Sequence, residues 1–207
     1  MPARVDHDER RRTIIDGLLD VAARDGLHAV TLRAVADASG VSLRLVQYYF
    51  DDKSSLLHAG LHHLETTSTQ RWEQRIADLG PTATPREVLE TYFEEALPTD
   101  DSSRRFHTVF TAYTALAVTD SALARTPFVE GPRRIQATIA DMLSTARAEG
   151  DIGPDIDPER EAQRLTAFEH GLGTGLLIGL HTVESANYLF RYHLDQLFIK
   201  RTPTDRT

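Results

Sequence analysis

Residues 31–57 read TLRAVADASGVSLRLVQYYFDDKSSLL. A helical pattern stops at Ser39-Gly40 and restarts at once. Val35 and Ala36 precede the glycine, Val41 follows it, and Val46 and Tyr49 come five and eight residues after Val41. This is the spacing of two short helices crossing steeply around a three-residue turn. Gly40 permits the positive φ that such a turn demands. Ala36 is small where the second helix must pass close, and Val35, Val41 and Val46 fill the space between the two. Thr31 and Ser42 stand where N-caps are needed for helices over 32–39 and 43–49.

The break lets the second helix stand proud of the first, with Ser42, Leu43, Arg44, Gln47 and Tyr48 on its outer face. Arginine and glutamine pair bidentately with guanine and adenine edges in a major groove. Tyrosine and serine hydroxyls, a lysine such as Lys53 and helix N-termini suit phosphate oxygens. The bland alternative is a helical corner with a solvated polar face, because short patterns of this kind recur by chance.

Outward from the motif the periodicity is helical almost everywhere, with no sustained strand alternation. Ile14, Leu18, Val21 and Ala22 mark one face of a helix over about 8–25, closed by Gly26. FDDK at 50–53 opens a long helix to about Leu79, capped by Asp51 or Asp52, and the Gly80-Pro81 pair stops it. TPRE at 84–87 is a helix start, with Thr84 as cap, Pro85 in the first turn and Glu87 completing a capping box. Further helices carry Phe106, Phe110, Tyr113 and Ala117, then Ile135, Ile139, Met142 and Ala146 over about 128–149. Another starts at DPERE, 157–161, and a last one covers about 184–200. The expected fold is all-α: an N-terminal three-helix helix-turn-helix domain, 1–53, followed by a six-helix ligand-binding and dimerisation bundle, 54–207. The tail TPTDRT at 202–207 is expected to be disordered.

Composition narrows the function classes. The 207 residues are 41% hydrophobic, enough for one or two globular domains. There are no cysteines, which excludes disulfides, zinc-thiolate sites and thiol nucleophiles. MPARVDHDERRRT lacks the apolar run of a secretory signal. The longest apolar stretch, GLGTGLLIGL at 171–180, is too short to span a bilayer. The expectation is a soluble cytoplasmic protein with no membrane partner. The net charge of −8 argues against nucleic acid, but it is unevenly spread. Residues 1–53 carry eight Lys/Arg against nine Asp/Glu, a balance of −1, leaving −7 on the other 154 residues. Arg10–Arg12, Arg33, Arg44 and Lys53 can therefore still form a basic face.

The stretch 31–57 resembles the DNA-binding signature of TetR-family transcriptional regulators. Thr31, Val35, Ala36, Gly40, Val41, Ser42, Tyr49, Phe50, Lys53 and Leu56 stand where that signature wants them. RRTIIDGLLDVAARDGLHAVTL, just before, matches the family's first helix; beyond residue 60 the likeness is architectural. The resemblance implies a dimeric, ligand-responsive regulator, a repressor rather than an activator, that needs no cofactor. It implies that Thr31, Arg33, Ser42, Tyr48, Tyr49 and Lys53 hold the DNA backbone. Two positions depart from the family pattern: Gln47 replaces a usual tyrosine and Leu43 a frequent lysine. Gln47 and Arg44 are then the expected base readers, and Leu43 is placed to touch a thymine methyl.

One short helix recognises too little alone, so two copies reading a near-palindrome on double-stranded DNA are expected, about 34–36 Å apart. Gly171, Gly175 and Gly179 recur every four residues, and helix glycines cost about 1 kcal/mol each against alanine. A close second backbone would explain them. Since the family dimerises through its last two helices, these glycines and Phe190, Leu194, Leu197 and Phe198 are assigned to a homodimer contact, although the same pattern fits packing within one subunit. Trp72, Tyr92, His107, Phe110, Tyr113 and His170 are candidates for lining a small-molecule effector cavity, with ordinary core as the alternative. By resemblance, an effector there pulls on the fourth helix and releases DNA. His58, His62 and His63 have metal-pair spacing without a third ligand, so no metal site is expected and these histidines are read as exposed. Glu94/Glu95 with Glu169/His170 could imitate a di-metal enzyme. The inward Glu-x-x-His motifs such a site requires are absent, as is any nucleophile elbow, so no catalytic residue is assigned.

Overall fold

The computed structural model describes residues 2–119 and 130–199, with side chains from His7 onward. Among these residues there are nine α-helices: α1 Pro2–Asp25, α2 Leu32–Ala38, α3 Leu43–Tyr49, α4 Lys53–Leu79, α5 Pro85–Ala96, α6 Asp101–Thr119, α7 Glu130–Ala148, α8 Pro158–Leu177 and α9 Val183–Leu197. A single 3-10 turn, Leu27–Ala29, links α1 to α2. The only β pairing among the described residues is an isolated antiparallel bridge between Ile152 and Phe198. The expected tail at 202–207, and the ends of the helices expected at 128 and 200, lie outside the described residues.

The caps explain the boundaries. Thr31 accepts from the Ala34 N–H and Ser42 from the Leu45 N–H. Asp52, not Asp51, caps α4: its carboxylate accepts from the Ser55 N–H at 2.7 Å, and Ser55 Oγ receives the Asp52 N–H in return. That bond holds the Asp52 carboxyl below its ordinary range. The Thr84/Glu87 capping box is complete, and Asp157 and Thr182 cap α8 and α9. Helix α1 starts at Pro2, earlier than the apolar pattern indicates. Its opening turns bury no side chain among residues 7–13; Asp8 and Arg12 supply acid-before-base i,i+4 spacing instead.

The described residues form two compact units, one within residues 1–67 and 105–128, the other within 68–104 and 129–207. The core of the first unit gathers Ile14, Leu18, Val21, Val30, Val35, Val46, Leu56, Leu61, Val109 and Tyr113. Two glycines make that packing possible. A Cβ on Gly17 would lie 3.0 Å from the Ser39 backbone nitrogen and 3.1 Å from its Cβ, and one on Gly60 would run into the Leu18 side chain. Glycine inside α1 and α4 therefore sets how near α2 and α4 come to α1.

The second unit centres on Leu89, Phe93, Ile139, Leu143, Leu165, Phe190 and Leu194. Phe93 and Phe190 stack with centroids 3.3 Å apart. Two buried carboxylates carry basic partners. Arg71 reaches Glu95 at 2.6 Å with Arg75 at 3.7 Å, and His193 and Arg164 reach Glu161 at 2.8 and 2.9 Å. Each pairing offsets the large cost of removing a carboxylate from water.

Candidate nucleic-acid interface

Helix α2 ends on Gly40 at φ 64°. The Val41 N–H reaches back to the Ala36 carbonyl at 3.0 Å and the Gly40 N–H to Asp37 at 3.3 Å. This six-to-one and five-to-two pair satisfies the last carbonyls of the helix and turns the chain within three residues. Val35 and Val46 are fully buried and Ala36 nearly so, as the spacing predicts, while Val41 is half-buried.

On α3 the exposed positions are Arg44, Gln47 and Tyr48, with Ser42 at its start. Offsets of three and four residues put these side chains on one stripe, opposite the buried Val46. Tyr48 is 72% exposed, unusual for a ring that size and consistent with a surface kept free for a partner. Arg44 and Arg33 are exposed and have no carboxylate within ion-pair distance among the described residues. Leu43 is turned half inward against the first unit's core, which limits its expected thymine contact to the edge left outside. Tyr49 is half-buried; its ring lies 5.3 Å from Tyr48 and 6.4 Å from Phe50. Lys53 differs from expectation. Its Nζ donates to the Leu27 carbonyl at 3.1 Å, so one of its three protons is committed to the turn after α1.

The other sequence candidates separate. Trp72 and Tyr92 meet edge to face at 5.3 Å in the second unit, where the Trp72 indole nitrogen is buried without a hydrogen-bond partner. Glu169 is buried there, which pushes its carboxyl up to about 8. Tyr92 is raised well above its ordinary range by burial, with a further push from Glu169. His170 Nε2 lies 3.4 Å from Glu169 on a partly exposed side chain, and its partial burial lowers its protonation range. His107, Phe110 and Tyr113 fall in the first unit. Tyr113 is fully buried, and its hydroxyl meets His58 Nε2 at 2.8 Å while His58 Nδ1 meets the Ser54 carbonyl at 2.7 Å. His58 is thus an internal bracket between α4 and α6, not the exposed residue expected; His62 is exposed and His63 half-buried.

The expected dimer residues need correction. Phe190, Leu194, Leu197 and Phe198 are at most 7% exposed and pack into the second unit's own core, so they offer no area to a second copy. Gly175 is a glycine because the His181 ring occupies the place of its Cβ. Gly179, at φ 75°, is the residue past the end of α8, where the Leu180 N–H returns to the Gly175 carbonyl at 2.8 Å. Gly171 lies inside α8 and faces open space, as Gly179 does beyond its end. The exposed apolar side chains here include Ile178, Leu180, Tyr188 and Tyr192. A helical stripe in the sequence does not say what covers it, so these side chains do not stand out there.

Residues 14–59 match the family described as bacterial regulatory proteins, tetR family, and residues 85–199 match the BetI-type transcriptional repressor C-terminal family. The chain belongs to the TetR family of transcriptional regulators. Among TetR-family relatives, the regulator PksA of Bacillus subtilis is 25% identical over 173 residues, covering 83% of this chain and 80% of its own length. The regulator BetI of Paraburkholderia phytofirmans is 27% identical over 168 residues, covering 79% of each. The crystal structure of a transcriptional regulator from Saccharomonospora viridis, in complex with choline, superposes with a TM-score of 0.82 at 26% identity, covering 94% of this chain and all of the other. The function shown for the TetR-family chain is therefore transcriptional regulation, with a DNA-binding domain at its N-terminal end. No helix among the described residues is long and apolar enough to cross a membrane.

Proposed function

We propose that the protein is a cytoplasmic, homodimeric repressor that binds a near-palindromic operator through α3 and is released by a small-molecule effector. Residues 1–53 act as the DNA-binding part and 54–207 as the effector and dimerisation part. The observation that carries this reading is the exposed stripe Arg44, Gln47 and Tyr48 on a helix whose opposite side is locked into the core. Arg44 and Gln47 read base edges. Thr31, Arg33, Ser42, Tyr48, Tyr49 and the remaining Lys53 protons hold phosphates. Seven residues of helix rise about 10 Å, which reaches only a few base pairs. A second copy supplies the rest, joined through the outer side of α8 and α9 at Gly171, Ile178, Leu180, Tyr188 and Tyr192.

The effector is seated among the aromatic side chains of the second unit, with Trp72, Tyr92 and His170 as its contacts. Choline in the Saccharomonospora viridis relative makes a quaternary ammonium the first ligand to try. Aromatic faces attract such a cation through their ring quadrupoles. The effector releases DNA only to the extent that it binds the DNA-free state more tightly.

The test is fluorescence anisotropy on DNA flanking the chain's own gene, with and without choline. Binding of a short palindromic duplex at submicromolar protein, two chains per duplex, supports the reading. Equal affinity for every duplex at low salt overturns it.

A further inference from the structure

The opening turns of α1 pose a question that burial does not answer. No side chain between His7 and Thr13 is buried, so this stretch is not held by the core. Its ring contacts go instead to the end of the recognition helix. The His7 imidazole lies 4.6 Å from the Tyr49 ring and 6.3 Å from Tyr48, both tilted or edge-on, and Tyr48 stands edge-on to Tyr49 at 5.3 Å. One turn along, the Arg11 guanidinium sits over the Phe50 ring at 5.3 Å.

We propose that His7 belongs to the DNA-contact surface: its ring orders Tyr48 and Tyr49, and in its protonated form it adds a cation beside them. The inference rests on the DNA-binding reading above and adds a residue to it. The physical reasons are two. A 72% exposed tyrosine has rotamer freedom to lose on binding, and a three-ring cluster restricts that freedom beforehand. When it carries a proton, the imidazole places its charge beside the exposed Tyr48 ring. Among the described residues, Arg10 stands three positions along α1, and the other charged or titratable groups near His7 are these. Asp8 lies 4.0 Å away on α1, Arg11 is one turn on, and Tyr48 and Tyr49 face it from α3.

The expected effect of one added unit charge about 5 Å from a phosphate in water is roughly fourfold in affinity per protomer. The experiment measures the full-length protein on a fluorescent duplex that it has itself selected from a random pool, between pH 6 and pH 8 at constant salt. Three variants are compared. His7→Phe keeps a ring but no charge, His7→Lys keeps a charge but no ring, and His7→Ala keeps neither. The wild type should bind more tightly than His7→Phe by up to roughly that factor, with the gap widening as pH falls. His7→Lys should hold its affinity across the range and keep the salt slope that His7→Phe loses. His7→Ala should be weaker than His7→Phe at both pH values. Identical pH profiles for the wild type and His7→Phe overturn the charge, and equal affinities of His7→Phe and His7→Ala overturn the ring. A wild type that binds no duplex at low salt defeats the DNA reading itself, a result plainly different from either.

Discussion

Replacing Gly17 by alanine tests how the first unit aims its recognition helix. Alanine in a helix interior is favoured over glycine by about 1 kcal/mol. Opposing this, the new Cβ would stand 3.0 Å from the Ser39 backbone nitrogen and 3.1 Å from its Cβ, with the Ser39 hydroxyl nearer still. Comfortable carbon contacts begin near 3.5 Å, so Ser39 must retreat by about half an ångström. It is not free to do so: it caps α2, and its N–H is bonded to the Val35 carbonyl at 2.9 Å. Overpacking of this sort costs about 1–3 kcal/mol, so the variant should be destabilised by roughly 0–2 kcal/mol. Ser39 lies three residues before Ser42, so the retreat also tilts α3. A partial loss of one base contact, about 1 kcal/mol, weakens the operator complex about fivefold. The assay is urea unfolding followed by circular dichroism, with operator affinity measured in parallel, on Gly17→Ala, Ser39→Gly and the double variant. Ser39→Gly removes the clashing side chain, so the cycle should show favourable coupling of about 1 kcal/mol. A Gly17→Ala protein that is about 1 kcal/mol more stable, binds its operator normally and shows no coupling to Ser39 would refute the reasoning.

Arg44→Ala should lose about 1–3 kcal/mol on the selected operator and relax preference at one base pair per half-site, read by competition with single-substituted duplexes; uniform loss on all duplexes counts against base readout. Arg71→Ala leaves the buried Glu95 with only the more distant Arg75 and should destabilise by about 3 kcal/mol in urea titration, with Glu95→Gln in the same background recovering part. Burial holds the Glu169 carboxyl near 8 against an ordinary 4.5, so folding binds a proton there. The contribution of this group to stability is then greatest below about pH 4.5 and falls as pH rises towards 8, by up to about 1.4 kcal/mol per unit. Glu169→Gln should gain on the wild type between pH 5 and pH 7.5, and a constant gap excludes the effect. Tyr192→Glu should leave the fold intact and yield monomers in sedimentation, whereas Phe190→Glu should fail to fold; the reverse pattern returns the interface to the inner stripe.

The capped boundaries, the Gly40 turn and the exposure of Arg44 and Gln47 were legible in the sequence. Each is decided within about five residues, by a side-chain oxygen, a positive φ or a helical offset, and local rules act at that range. The same holds for the all-α class, whose periodic signal lies in every segment. What the periodicity could not say is what covers a given stripe. Phe190 and Leu194 satisfy the helical pattern equally well against a second subunit or against Phe93, and only the assembled unit places them inside. Gly171, Gly175 and Gly179 look like one row but answer to open space, a histidine ring and a helix end respectively. Gly17 and Gly60 were visible as glycines inside helices, yet the reason for each lies on another helix. His7 meeting Tyr49, and Tyr113 meeting His58 across 55 residues of chain, depend on how helices pack. Sequence spacing fixes which face a side chain takes on its own helix, while close packing among helices distant in the chain decides what that face meets.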